Sequence, residues 1–235
     1  MNQELANVIK LYTTGTHQEL SNYLIGKSKD TIIGMLVDLL TMYINDKNSS
    51  TIREFITVVL AGYEHKEGKI GYNGFRQEIS QPGKTIKCEA KPKNFSTDEL
   101  EKFQNGARKN PPSKLNGGGN FTDYTSARLK KDKMENLNML VSGFIDGKLI
   151  YILEFPFNYR PFIDHLKKQL IKFESKLKRG EKTKGQFLRS ANFHYKHFVS
   201  CPDLMVVYLL PKSELERYKP YLVKGFYEFL REKAK

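Results

Sequence analysis

Apolar residues along the first sixty positions recur at intervals of three and four: Leu5, Val8, Ile9 and Tyr12, then Leu20, Tyr23 and Leu24. The apolar stretch 31–43 and the series Ile52, Phe55, Ile56, Val59 and Leu60 complete the set. This spacing matches the helical turn, so the region 1–60 predicts amphipathic helices. Beyond it the period shortens. Two extended runs, 75–79 and 85–90, flank Ser80, Gln81, Pro82 and Gly83 and predict a hairpin. A helix follows over 97–108, ended by Asn110, Pro111 and Pro112, and then a glycine-rich loop at 114–120 and a second helix over 122–134. The runs 138–145 and 149–157 are strongly apolar strands, and Asp146 and Gly147 between them signal a type I′ hairpin. The pattern closes with a basic helix over 160–178, a strand at 193–199, an apolar run at 204–210 and a helix over 218–233. The fold class expected is α/β (α+β): a central mixed β-sheet flanked by helices over 61–235, preceded by a helical N-terminal region, 1–60.

Composition fits a globular chain: 39% of its 235 residues are hydrophobic and 12% aromatic, enough to bury a core. The two cysteines, Cys88 and Cys201, are too few for a secreted disulfide scaffold and suit a reducing compartment. The first twenty residues lack a basic segment followed by an apolar one, so no secretory signal is expected. The stretch 31–44 is interrupted by Asp38 and is too short to span a bilayer. These features lead us to expect a soluble, cytoplasmic protein with no membrane partner.

Charge sharpens the picture through its distribution. The net charge is +13, yet residues 1–60 carry five basic and six acidic side chains, leaving +14 on the remainder. From 160 to 196 there are eleven Lys or Arg against three acids. A basic surface of this density attracts a polyanion, because each phosphate it neutralises releases condensed counterions.

The candidate chemistry lies in the first hairpin. Strand side chains alternate, so Glu89 and Lys91 share one face while Cys88 and Ala90 take the other. Pro92 is expected to end the strand and leave the pair at an accessible edge. Glu78, at the end of the preceding strand, falls either near this pair or across from the middle of its strand. Two carboxylates and a lysine meet the needs of metal-assisted phosphodiester hydrolysis: the acids hold Mg²⁺, and the lysine steadies the nucleophile or the developing charge. Glu-x-Lys alone recurs by chance in charged proteins. Its place on a strand, the acid ten residues before it and the basic remainder of the chain give it weight.

Glu78, ten intervening residues and Glu89-Ala90-Lys91 together resemble the core of the PD-(D/E)xK nucleases, and the run to Asn94 is similar to segments of type II restriction endonucleases. The resemblance covers roughly residues 55–210. It implies a restriction-endonuclease-like sheet, Mg²⁺-dependent cleavage of double-stranded DNA (Mn²⁺ substituting) and a homodimer on a palindromic site. By position, Glu78 takes the first metal-binding carboxylate's role, Glu89 the second and Lys91 the lysine's. The family's Pro-Asp is Gln77-Glu78 here, which makes Glu64 a competitor for the first acid, or an added ligand.

Further DNA contacts are expected from Lys114, Asn116, Asn120 and Thr122 around the glycine run, where backbone could approach the duplex closely. Arg128, Lys130 and Lys131 are candidates for phosphate contacts. Arg189, Asn192, His194 and Lys196 interleave base-reading groups with aromatics. The glycine run lacks the Gly-Lys-Ser/Thr ending of a nucleotide-binding loop, so no nucleotide cofactor is expected. The histidines show no zinc spacing with the cysteines. A repair or junction-resolving nuclease with the same core, and a non-enzymatic DNA-binding protein, are the alternatives. The acidic-acidic-lysine set separates the last from the others, since carboxylates repel phosphates that a protein merely binds.

Overall fold

A computed structural model describes residues 3–45, 51–66, 71–78, 83–181, 183 and 185–235. Four helices come first: α1 (Gln3–Thr14), α2 (His17–Ile25), α3 (Lys29–Asn45) and α4 (Thr51–Leu60). The entry to α2 is a full capping box, in which Thr16 and Glu19 satisfy each other's backbone amides. Then follow β1 (Glu64–His65), β2 (Gly74–Gln77), β3 (Thr85–Phe95), α5 (Thr97–Gln104), β4 (Gly119–Tyr124) and α6 (Ser126–Glu135). The chain continues through β5 (Asn138–Ile145), β6 (Lys148–Pro156), α7 (Arg160–Lys178), β7 (Leu188–Phe193) and β8 (Met205–Leu209). It closes with the short helix α8 (Lys212–Leu215) and α9 (Lys224–Lys233).

Six strands form one mixed sheet in the order β1-β2-β3-β5-β6-β8, and β4 and β7 form a separate two-stranded ribbon. All ladders in the large sheet are antiparallel except β3 with β5, whose parallel pairing needs the long crossover through α5, β4 and α6. The architecture is thus the mixed α/β fold expected. Strands β5 and β6 are buried along almost their whole length, as continuous apolar runs require when both sheet faces are covered. Asp146 and Gly147 both take positive φ, 47° and 81°, as the tight turn between these strands demands.

Each face of the sheet carries its own core. One is covered by the N-terminal helices: Leu5, Ile9, Met35, Phe55 and Ile56 pack with Phe144, Leu149 and Ile152 of the sheet. The helical region therefore shares its core with the strands rather than standing apart. The other face packs Met139, Val141, Leu153 and Phe155 beneath Phe121, Phe162, Leu166, Phe193 and Phe226 from the ribbon, α7 and α9.

The helices expected over 97–108 and 218–233 are shorter, Thr97–Gln104 and Lys224–Lys233, and three further details differ from the sequence pattern. The expected helix over 122–134 begins only at Ser126, because residues 119–124 pair as a strand with β7; Gly119 and Phe121 turn inward by alternation, and Asp123, at a φ of 51°, breaks it so that Tyr124 is buried too. Thr125 caps the helix, accepting a hydrogen bond from the Arg128 amide at 3.1 Å. The strand expected at 193–199 ends at Phe193, and a short 3-10 turn, Tyr195–His197, lets both Phe193 and Phe198 enter one core. Third, Pro92 does not end β3, which continues to Phe95 paired throughout with β5. Its missing N–H lies on the side away from β5, beyond the last pairing with β2, where no ladder bond is lost. The turn residues Ser80, Gln81 and Pro82 lie outside the described residues.

Candidate active site

Alternation along β3 sends Cys88 and Ala90 toward α4 and sends Glu89 and Lys91 to the opposite face, under the ribbon and α6. Glu89 is 3% exposed, and the Lys91 ammonium donates to its Oε1. Burial holds the Glu89 carboxyl above the usual carboxylate range, against the lowering pull of Lys91. The lysine is fixed by its surroundings. Its ammonium sits 4.7 Å from the Phe121 ring centroid, and its stem lies against Gly119, where an added Cβ would meet Lys91 Cβ at 2.6 Å. Gly118 is equally tight, an added Cβ falling 1.9 Å from the Phe193 carbonyl oxygen. The glycine run is therefore a packed seam between the ribbon and β3, with all three glycines buried, rather than a loop open to a ligand.

A second buried carboxylate lies near this pair, at a residue the sequence pattern did not single out. Asp132 of α6 is 5% exposed, accepts a hydrogen bond from the Tyr124 hydroxyl at 3.0 Å and lies 3.8 Å from Arg128 Nε. Burial raises its pKa, while Tyr124, Arg128 and Lys91 oppose that rise. Asp132 and Glu89 lie close enough for the charge on Asp132 to raise the Glu89 pKa further. Leu129 and Asp132, three apart, are the buried residues of α6, so the available signal was a carboxylate at a core-facing helical position.

Glu78 is not brought to this cluster. Its amide donates to the Lys84 carbonyl at 2.8 Å and its carboxylate pairs with Lys84 Nζ, also at 2.8 Å, at the far end of the hairpin. Five residues of strand separate Lys84 from Glu89, roughly 17 Å at about 3.4 Å per residue. The position across from Glu89 belongs to Asn73, whose Oδ1 accepts the Ala90 amide at 2.7 Å. Glu64 is exposed on β1, the outermost strand, and not at the end of a helix. The hairpin register accounts for Glu78: Gln77 pairs with Thr85, so the end of β2 lies beside the start of β3 and away from Glu89.

Among the expected DNA contacts, Asn120, Thr122, Arg189 and Asn192 come together on the β4–β7 ribbon. Arg128 bridges Asp132 and the Thr122 carbonyl, which its Nη1 reaches at 3.0 Å. Lys130 and Lys131 are exposed on α6, and Lys114 and Lys196 on connecting segments. Asn116 instead serves the fold, accepting the Gly118 amide through its side chain and the Tyr195 amide through its carbonyl. His194 sits in a cluster with His165 and His197, whose rings stack with centroids 3.5 Å apart. Burial and the neighbouring imidazoles push His197 down to about 4.

Glu154 is a third buried carboxylate, on the opposite face of the sheet, and its Oε1 accepts from Tyr63, Arg76 and Asn138 at 2.6, 3.2 and 2.6 Å. Saturated in this way, it holds α4's exit loop, β2 and β5 together. Among the described residues no group of three or more His, Cys, Asp or Glu side chains could hold a metal ion alone. Likewise, no helix among them is long and apolar enough to cross a membrane. No protein-family model matches the chain, and no curated protein matches it in sequence.

Proposed function

We propose that this chain is a Mg²⁺-dependent endonuclease of double-stranded DNA, site-specific in the manner of type II restriction enzymes, cytoplasmic, and active as a homodimer. The observation that carries the reading is the buried Glu89–Lys91 pair on β3, with the buried Asp132 carboxylate near enough for its charge to act on Glu89. Two buried carboxylates in mutual repulsion cost stability unless cations offset them, and Lys91 and the more distant Arg128 do so only in part. Mg²⁺ suits such a pair, since it takes one or two protein carboxylates and fills its remaining positions with water and phosphate oxygens. Bound there, the ion would polarise the scissile phosphate and acidify a water. Lys91, held by Phe121 and Gly119, has its ammonium placed to donate to an anionic oxygen beside Glu89. The basic excess on α7 supplies the sequence-independent attraction for the duplex.

For the homodimer, α3 offers Ile32, Ile33, Leu36 and Val37, all between 42% and 55% exposed. A second copy is the partner this face suits, because the region 1–60 is near neutral and self-contact there keeps the two strongly basic halves apart. Incubation of the purified chain with plasmid and Mg²⁺ tests the reading. Discrete fragments that vanish with EDTA, or with Glu89→Gln, are expected. A smear would favour a repair-type nuclease, and retention of intact plasmid would leave a binding protein.

A further inference from the structure

The β4–β7 ribbon has two unlike faces. Phe121, Ala191 and Phe193 point inward and are buried. The outward face presents Asn120 across from Asn192 and Thr122 across from Ser190, a small patch in which every side chain carries a polar group. Asn120 Nδ2 donates to Ser190 Oγ at 3.4 Å, and Ser190 Oγ donates to Asn192 Oδ1 at 3.1 Å. That chain orients the amides and leaves Asn120 Oδ1 and Asn192 Nδ2 without a partner among the described residues. Arg189 and Phe187 are exposed beside them, and with Asn120, Thr122, Ser190 and the Asp123 carboxylate they line an open concavity of about 590 Å³ at whose margin Asn192 stands.

The patch is also rigid. The Asn192 amide donates to Gln169 Oε1 at 3.0 Å, and its carbonyl oxygen lies 2.8 Å from Gln169 Nε2, which donates to it, and 2.9 Å from His165 Nε2. An exposed strand residue whose backbone is clasped on both sides by a helix projects its side chain in a fixed direction, so little order remains to be imposed on binding. The clasping helix is α7, where Lys167, Lys168 and Lys172 are exposed. On the other side β4 runs directly into α6 with its exposed Lys130 and Lys131.

We infer that the outward face of this ribbon reads base edges in the major groove of the duplex, with Asn120, Asn192 and Arg189 as the specificity-determining residues. The inference rests on the proposed action on double-stranded DNA. A pair of strands about 4.8 Å apart enters a groove about 12 Å wide but not one about 6 Å wide. Asparagine amides match the donor and acceptor of adenine, and a guanidinium matches the two acceptors of guanine. The lysines on α7 and α6 contact the phosphates at the groove's walls, which positions the ribbon without carrying sequence information.

Equilibrium selection of the full chain on a randomised duplex pool, without divalent metal, tests this apart from cleavage. The wild type is expected to enrich a short sequence. Asn192→Ala, Asn120→Ala or Arg189→Ala should each flatten preference at one position by roughly ten- to hundredfold. Paired Lys167→Ala and Lys168→Ala should lower affinity for all sequences alike. Circular dichroism establishes that these surface variants are folded. An unchanged preference in all three ribbon variants overturns the inference, as does a wild type that enriches nothing. In either case, Mg²⁺-dependent cutting of plasmid by the same proteins shows whether the nuclease reading stands without the ribbon.

Discussion

Glu89, Asp132 and Glu154 are all buried carboxylates, yet their partners divide them. Glu154 collects three donors on one oxygen, whereas Glu89 has Lys91, and Asp132 has Tyr124 and a distant Arg128. Removing one partner of a saturated buried charge costs about 3–5 kcal/mol, so Glu154→Ala should lower the unfolding free energy by that order in denaturant titration. Asp132→Asn should behave in the opposite sense for stability while slowing plasmid cleavage about a thousandfold, which corresponds to about 4 kcal/mol of lost transition-state stabilisation. Lys91→Ala should lose activity on the same scale. Glu78→Ala and Glu64→Ala should cut nearly as well as the wild type, because both lie at other parts of the sheet. Near-normal cutting by Asp132→Asn, with loss in Glu78→Ala, would return the first acid's role to the hairpin. Glu89 and Lys91 were legible in the sequence because alternation along one strand is a local property. Asp132 was not, since its approach to Glu89 depends on how the crossover helix docks on the sheet.

At the level of elements, the strongly periodic helices, the Asp146–Gly147 hairpin and the apolar strands on either side of it were all readable from spacing and turn chemistry. The ribbon was not. Its two strands are separated by sixty-odd residues in the chain, and part of β4 fell within the helix expected over 122–134. The histidine cluster arises in the same non-local way, from α7, the end of β7 and the turn after it. It has a measurable consequence. His197 titrates at about 4 because burial and the facing His165 and His194 disfavour its charged form, and His194 is lowered by burial, His165, Lys196 and Lys93. In the unfolded chain both return to about 6.5. The unfolded state therefore binds more protons across that interval, and stability is lost as pH falls from about 6.5 toward 4. Thermal melts at successive pH values should show this decline in the wild type and a flatter course in His197→Gln. Equal slopes in the two proteins would remove the cluster as a source of acid sensitivity.

At the scale of the whole molecule, the chain joins a near-neutral helical layer to a strongly basic remainder. Sedimentation of the wild type should report a dimer, and Ile33→Glu with Leu36→Glu should report a folded monomer that nicks one strand rather than cutting both. A monomeric wild type making clean double-strand cuts would exclude the α3 face. Duplex affinity should fall with salt at a log-log slope of about −0.9 per phosphate neutralised. Pro92 bears on self-association of another kind. Beyond Asn73, no strand among the described residues pairs with β3 on its β2 side, so the site strand has a flank without a ladder partner there. A bare flank on a long apolar-backed strand is a template onto which another chain can zip. Proline there withholds a donor such zipping would need, which lets the strand be uncovered for a ligand while resisting polymerisation. Pro92→Thr should accordingly leave the fold intact and speed aggregation on warming, read by light scattering: the residue that resembled a strand terminator is what keeps an open strand soluble.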